Sequence, residues 1–439
     1  MMSELNRTQA PATRAIKEWQ ISHTEPQTLG HGNRLYYFPK PGLGVVKLDF
    51  FWPVGSAHQS HSYQARTALT LSLSGSTEHT AEQIQEKFEY LGASTSSETQ
   101  LFGSSLSLKC SSAAFIPALE WLVQHYQDAV FPEQELANYK QMEIAGLQRK
   151  MHTPRYWSNR KCLEHMYHYG SPMAKFASVE DIAAVDAADL LRYHQHHLSL
   201  SNAVVFVCGE VSNRDMQLLE TLFSDRIAFR EAPVLPAFAE EPVKSADLHV
   251  KHRVEHTSQV SLMMGRRIPA VSPREMHKLS LVNMLMGGFF GSRLMQEIRE
   301  ERGLTYGIGS YVSQSTDGNN WFISGEMNSA KAEETVEAVA ELMNSMRHNP
   351  PQGEELEKAK RYYAGQFRTG FDGPFAMPRK IQNLMMRGFD YSYFDCALET
   401  LWNTDSREIS QWADNYLHPE TFTVVLAGDT QPTFDQENS

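Results

Sequence analysis

Two short runs about 220 positions apart constrain this chain more than anything else in it. Ala203–Val211 reads AVVFVCGEV and Phe422–Thr430 reads FTVVLAGDT. Each is an unbroken apolar run closed by glycine and an acid, the pattern of a strand buried on both faces. A second pair keeps the same offset: ELANYKQMEIAG from Glu135 and ELEKAKRYYAGQ from Glu355. Two coincident offsets imply a tandem duplication, so both halves must adopt one plan. With 439 residues the chain has room for two such units. Residues 229–248 hold Pro233, Pro236, Pro242 and several acids with little periodicity, and read as a linker. This divides the chain into an N-terminal extension (1–27), a first domain (28–228), the linker (229–248) and a second domain (249–432).

Local signals give each half strands segregated beside helices. Leu35–Phe38 and Val45–Trp52 are β-rich and flank Pro39-Lys-Pro-Gly42, which predicts a hairpin. Thr80 and Gln83 form a capping box for a helix that places Ile84, Phe88 and Leu91 on one face and stops at Gly92. Ser94–Lys109 reads as strand. Helices are expected over Ala113–Tyr126, Glu133–Met151, Asn159–Tyr169 and Asp186–His197. In the second half, Ser272-Pro-Arg-Glu275 is another capping box, and Tyr306–Val312 with Trp321–Glu326 makes a hairpin across Thr316-Asp-Gly-Asn319. The fold class is therefore α+β, two tandem similar α/β sandwiches.

Composition narrows the function. A hydrophobic share of 41% and a charged share of 21% are those of a globular protein. A net charge of -12 argues against nucleic acid and anionic membranes as partners. No apolar run reaches spanning length, and the N-terminus lacks the apolar core of a signal peptide. Cys110, Cys162, Cys208 and Cys396 are scattered without CxxC spacing, as buried thiols in a reducing compartment would be; the expected location is the cytoplasm.

Gly287–Tyr306 reads GGFFGSRLMQEIREERGLTY: a glycine turn, a short charged helix, a glycine stop and the start of a strand. Ser292 is a candidate cap, Leu294 and Ile298 share a face, and Gly303 supplies the left-handed stop. The unit delivers Arg299 and Tyr306 close to one another. This segment strongly resembles the C-terminal half of the insulinase/pitrilysin family of zinc peptidases, which includes mitochondrial processing peptidase. The resemblance runs from about Thr28 to Thr430 and implies two similar α+β domains, half of a clamshell. It also implies that Arg299 and Tyr306, with Gly287 and Gly288 beside them, bind substrate.

Active members of that family carry HxxEH, two helical His ligands and a Glu general base, with a distal Glu as further ligand. The flanking signatures are matched here by Val54-Gly55-Ser56 and by Ser74-Gly75-Ser76 leading to Thr80–Ile84. Between them the two His positions fall on Arg66 and Thr70, and the Glu position on Leu69; Glu143 matches the distal ligand. Arginine repels a cation and leucine takes no proton, so the zinc site is degenerate. Taken alone, Glu143 reads as a solvated helix residue.

Three other patterns invite metal readings. His252-Arg-Val-Glu-His256 is a literal HxxEH, but it leads into a strand-like run, where its two His would sit ~13 Å apart. Cys162-Leu-Glu-His-Met166 has Lys161 in the first ligand position, and His194-Gln-His-His197 lies at a helix end. Amphipathic packing and terminal carbonyls account for both.

The resemblance then implies a non-catalytic, substrate-binding subunit of a heterodimeric zinc peptidase, inactive alone, with no cofactor of its own. A homologous HxxEH-bearing partner would bring zinc and the general base, and the substrate would be an unfolded peptide. The alternatives are an active metallopeptidase using His252 and His256, a scaffold with no substrate role, and a self-paired homodimer.

Overall fold

The computed structural model describes residues 15–168, 170–236, 249–315 and 318–429. The first sheet contains β1 (Gln27–Thr28), β2 (Arg34–Pro39), β3 (Val45–Trp52), β4 (Ser94–Thr99), β5 (Ser104–Ser111) and β6 (Val204–Gly209). The second contains β7 (His249–Arg253), β8 (Gln259–Ile268), β9 (Thr305–Ser315), β10 (Gly318–Asn328) and β11 (Thr423–Gly428). Their spatial orders are β1-β2-β6-β3-β5-β4 and β7-β11-β8-β10-β9. Apart from β1 the two orders superimpose strand for strand, the duplication seen in three dimensions.

The two runs that announced the duplication are β6 and β11, and every residue of both is buried. Each lies inside its sheet between a parallel and an antiparallel neighbour. This corrects the expected hairpin of β2 and β3. The two strands are present, but β6 separates them, parallel to β2 (Leu35↔Val205) and antiparallel to β3 (Leu48↔Val207). The most apolar strand takes the interior of the sheet, and a local turn signal cannot compete with that burial.

The first-half helices are α1 (Gln64–Thr70), α2 (Ala81–Tyr90), α3 (Phe115–Gln127), α4 (Glu133–Met151), α5 (Pro154–Met166), α6 (Val179–Ala184), α7 (Ala187–His197) and α8 (Asn213–Asp225). The second half has α9 (Pro273–Asn283), α10 (Ala332–His348), α11 (Gly353–Thr369) and α12 (Ala376–Arg387), with shorter helices before β11. The capping boxes at Thr80 and Ser272 form as expected. Ser94–Lys109 divides into the antiparallel pair β4 and β5. The β9–β10 hairpin is also present; Thr316 and Asp317 of its turn, Tyr169 at the end of an expected helix, and residues 237–248 of the linker lie outside the described residues.

Helices pack on one face of each sheet to form the main cores. The opposite faces are covered reciprocally. α5, from the first half, lays Cys162 and Met166 on Met263, Phe322 and Val425 of the second sheet. α12, from the second half, lays Ile381 on Tyr36, Phe38, Phe51 and Phe206 of the first. Glycine lets both helices come close: a Cβ at Gly265 would collide with Cys162 and Met166, and one at Gly103 with Met386.

Candidate functional site

The segment Gly287–Tyr306 is built around two π-wound turns, Met284–Gly288 and Leu294–Glu301. The wider winding shows at the end of the second, where Arg302 N–H bonds the Glu297 carbonyl five residues back at 2.8 Å. Such winding is uncommon and concentrates at functional sites. Leu294 and Ile298 are fully buried, as their spacing predicts, and Gly303 adopts φ +59 at the stop. Ser292 does not cap. The turn begins at Arg293 without a side-chain cap, and the buried Ser292 hydroxyl has no hydrogen-bond partner among the described residues. The π turn starts one residue later than an ordinary helix capped by Ser292 would.

Gly287 is a packing glycine. It is buried, and a Cβ there would lie 2.7 Å from the Ser310 backbone nitrogen on β9. That clearance sets how closely the turn approaches the strand. Gly288 is half-buried, with Met284 Sδ 3.2 Å from the place of a Cβ. Ser310 ties the unit together: it donates to Asn283 Oδ1 at 2.6 Å and accepts from Trp321 Nε1 at 2.6 Å.

Arg299 and Tyr306 leave this scaffold toward different neighbours. The Arg299 guanidinium lies 5.4 Å from the centre of the Phe290 ring and 3.5 Å from Glu300. Tyr306 is 90% exposed, and its exposure has a local cause. Gly307 pairs with Glu326 and Thr305 with Met327, leaving Tyr306 as the extra residue of a β-bulge. The Thr305 hydroxyl accepts from Gly307 N–H at 3.2 Å and donates to the Glu326 carbonyl, which pins the bulge. Tyr306 borders a cavity of ≈ 370 Å³ on the face covered by α5.

The positions matching the zinc motif also come together, apart from one. α1 presents Arg66 and Thr70 on its outer side, while Leu69 is 1% exposed and belongs to the first core. Arg66 Nη2 donates to Glu143 Oε1 at 3.4 Å, across to α4. Glu143 is thus no solvated helix residue; its side chain is 13% exposed. Burial, then the Glu143 carboxylate within hydrogen-bonding reach, pushes the Tyr63 phenol up to about 12. Tyr139, one turn before Glu143 on α4, feels Arg66, Thr70 and Glu143, yet its hydroxyl makes no aligned hydrogen bond to any described residue. The residues present do not fit zinc. A guanidinium occupies the one carboxylate, and neither Arg66 nor Thr70 supplies the imidazole the metal prefers. Among the described residues no group of three His, Cys, Asp or Glu side chains is arranged to hold a metal ion.

The literal HxxEH is divided between a strand and a turn. His252 lies on β7 with its ring 4.4 Å from that of Trp157, and His256 sits in the following turn at φ 60. Cys162 is buried against the second sheet, Glu164 pairs with Arg160 and Lys161, and His165 bonds the Lys161 carbonyl. Burial and the neighbouring His196 and His58 hold His197 down to about 4. Sequence reasoning passed over Tyr63 and Tyr139. The spacing of Tyr139 from Glu143, one turn on the same face, was the available signal.

Comparison with known proteins agrees with this fold. A family model described as Peptidase M16 inactive domain matches residues 184–363. An uncharacterized zinc protease, YmxG, of Bacillus subtilis is 22% identical over 82% of this chain and 88% of its own. The crystal structure of a peptidase M16 inactive domain from Pseudomonas fluorescens superimposes with a TM-score of 0.81 at 22% identity, covering 95% of this chain and 100% of that one. The periplasmic protease PqqL of Escherichia coli gives a TM-score of 0.75 at 15% identity, over 97% of this chain but 48% of its own. The chain resembles the insulinase/pitrilysin zinc peptidases in sequence and fold, and it lacks HxxEH at the helix where the family carries it.

Proposed function

We propose that this chain is the non-catalytic, substrate-binding subunit of a two-subunit zinc peptidase. A homologous partner supplies the zinc and the general base, and this chain closes the chamber over an unfolded peptide. The observation that carries the reading is the Arg66–Glu143 pair: the place of the metal in the first half holds a guanidinium instead. The second half, by contrast, carries an exposed phenol on a pinned bulge and, on the turn that precedes it, Arg299. The match of one whole chain to 48% of the PqqL chain supports a larger assembly built from a second such unit. Four buried, unbridged cysteines support a reducing compartment, and we place the subunit in the cytoplasm.

The chemistry follows from the two groups. Peptide hydrolysis passes through a tetrahedral oxyanion, and fixed donors near it lower the barrier. Arg299 keeps its charge in any setting and bonds carbonyl oxygens with its fork of N–H groups. Tyr306 donates one hydrogen bond without adding charge. The bulge fixes the backbone from which that donor projects, so only the side chain itself is left to order on binding.

The test uses the complex. Co-expressed with its HxxEH-bearing partner, the chain is expected to give a peptidase whose kcat/KM falls about 100-fold with Tyr306→Phe or Arg299→Ala, the usual cost of one such donor. Complex formation should be unaffected. Full activity in both variants would make the subunit a scaffold.

A further inference from the structure

The rim of the cavity beside Tyr306 carries two exposed, opposite charges that do not pair with each other. It is lined by Arg155 from α5, by Ser261 and Gln259 of β8, and by Ser324 and Glu326 of β10, with Tyr306 at its edge. Neither the Arg155 guanidinium nor the Glu326 carboxylate makes an ion pair among the described residues. Arg155 stands in the first turn of α5, after the Thr153 cap and Pro154. There a cation meets the positive end of the helix dipole, an unfavourable place unless an anion comes to it. Its charge reaches across the sheet, opposing the upward push that burial gives the Tyr311 phenol. The arrangement is built twice. Pro378-Arg379 repeats Pro154-Arg155 near the start of α12, and Arg379 lines a matching cavity on the first sheet with Ser96, Ser105, Ser107 and Lys47.

We propose that Arg155 is a substrate-contacting residue that receives a peptide carboxylate in the cavity where Tyr306 donates its hydrogen bond. The inference rests on the substrate-binding reading of Tyr306. The guanidinium fork matches a planar carboxylate, and the half-buried Ser324 offers a hydroxyl beside it, whereas the Ser261 hydroxyl is engaged with Ser158 at 2.9 Å. Glu326 in the same cavity turns away polyanions and leaves a single carboxylate as the fitting charge. Arg155 comes from the first half and Tyr306 from the second, so the site exists only because α5 crosses onto the second sheet.

Peptide binding to the purified full chain tests this, read by fluorescence anisotropy. The probe is a fluorescein-labelled unstructured peptide with one internal glutamate and a free C-terminus. Two control peptides carry a C-terminal amide or glutamine in place of the glutamate. The wild-type chain should bind the acid forms more tightly, and whichever control loses affinity names the carboxylate used. Arg155→Met should weaken the acid peptide about tenfold and remove its advantage over that control, while Arg155→Lys keeps part of it. A carboxylate advantage that survives Arg155→Met, or equal binding of all three peptides by the wild type, overturns the inference while leaving Tyr306 in place. Binding that depends on Arg155 but is indifferent to Tyr306→Phe and Arg299→Ala supports the carboxylate site and overturns the role of the pair. No saturable binding of any peptide overturns both.

Discussion

At the scale of single residues, the molecule turns on what stands where a metal would. Arg66 and Glu143 form a pair in which one partner is half-exposed and the other nearly buried. Such a pair contributes little by itself, but removing one member leaves the other's desolvation uncompensated. Arg66→Met should therefore lower stability by about 1–2 kcal/mol, and adding Glu143→Gln should recover most of it. Thermal unfolding of the two single variants and the double variant measures this. A double variant whose loss equals the sum of the single losses would mean the two groups do not interact. Arg66, Leu69 and Thr70 were legible in the sequence as candidate positions, through their flanking signatures. The pairing was not, since Glu143 lies 77 residues away on another helix and a lone glutamate on an amphipathic pattern reads as solvated.

Elements show where local signals suffice and where they fail. Capping boxes, helix faces and the β9–β10 hairpin depend on neighbours a few residues away, and they fold as their residues dictate. The separation of β2 from β3 depends on β6, which arrives from the far end of the same half. The π-wound turns at Met284–Gly288 and Leu294–Glu301 likewise leave no periodic trace, because their winding departs from the 3.6-residue period that sequence patterns report. The reciprocal helices are the largest feature hidden from sequence. α5 and α12 bury apolar side chains on the opposite half's sheet, which ties the halves through contacts rather than through the connecting chain. Cleavage at a protease site inserted between residues 236 and 249 should leave the two fragments together through gel filtration under native conditions. Replacing Gly265 with leucine should weaken that association, because the side chain needs the space that Cys162 and Met166 fill. Fragments that part at once on cleavage would show that the exchanged helices do not hold the halves.

For the whole molecule, duplication has produced two equivalent frames with different contents. The first frame carries an arginine–glutamate pair between α1 and α4; the second carries an exposed phenol on a bulge and a cavity with an arginine lent by the first. Two tandem sandwiches were readable from the repeat and from strand–helix segregation. Which face of each would be covered, and by what, was not. The His252–His256 pattern illustrates the limit of motif reading: the residues are present, but a strand and a turn place them, not a helix. No helix among the described residues is long and apolar enough to cross a membrane. The proposed role requires that the metal come from a partner and not from this chain. Zinc measured by mass spectrometry on the purified chain tests it most directly, after dialysis against zinc-containing and then zinc-free buffer. The prediction is far less than one zinc per chain, unchanged by His252→Ala, with zinc appearing only once the HxxEH-bearing partner is bound. One tightly held zinc per lone chain, lost on His252→Ala, would contradict it.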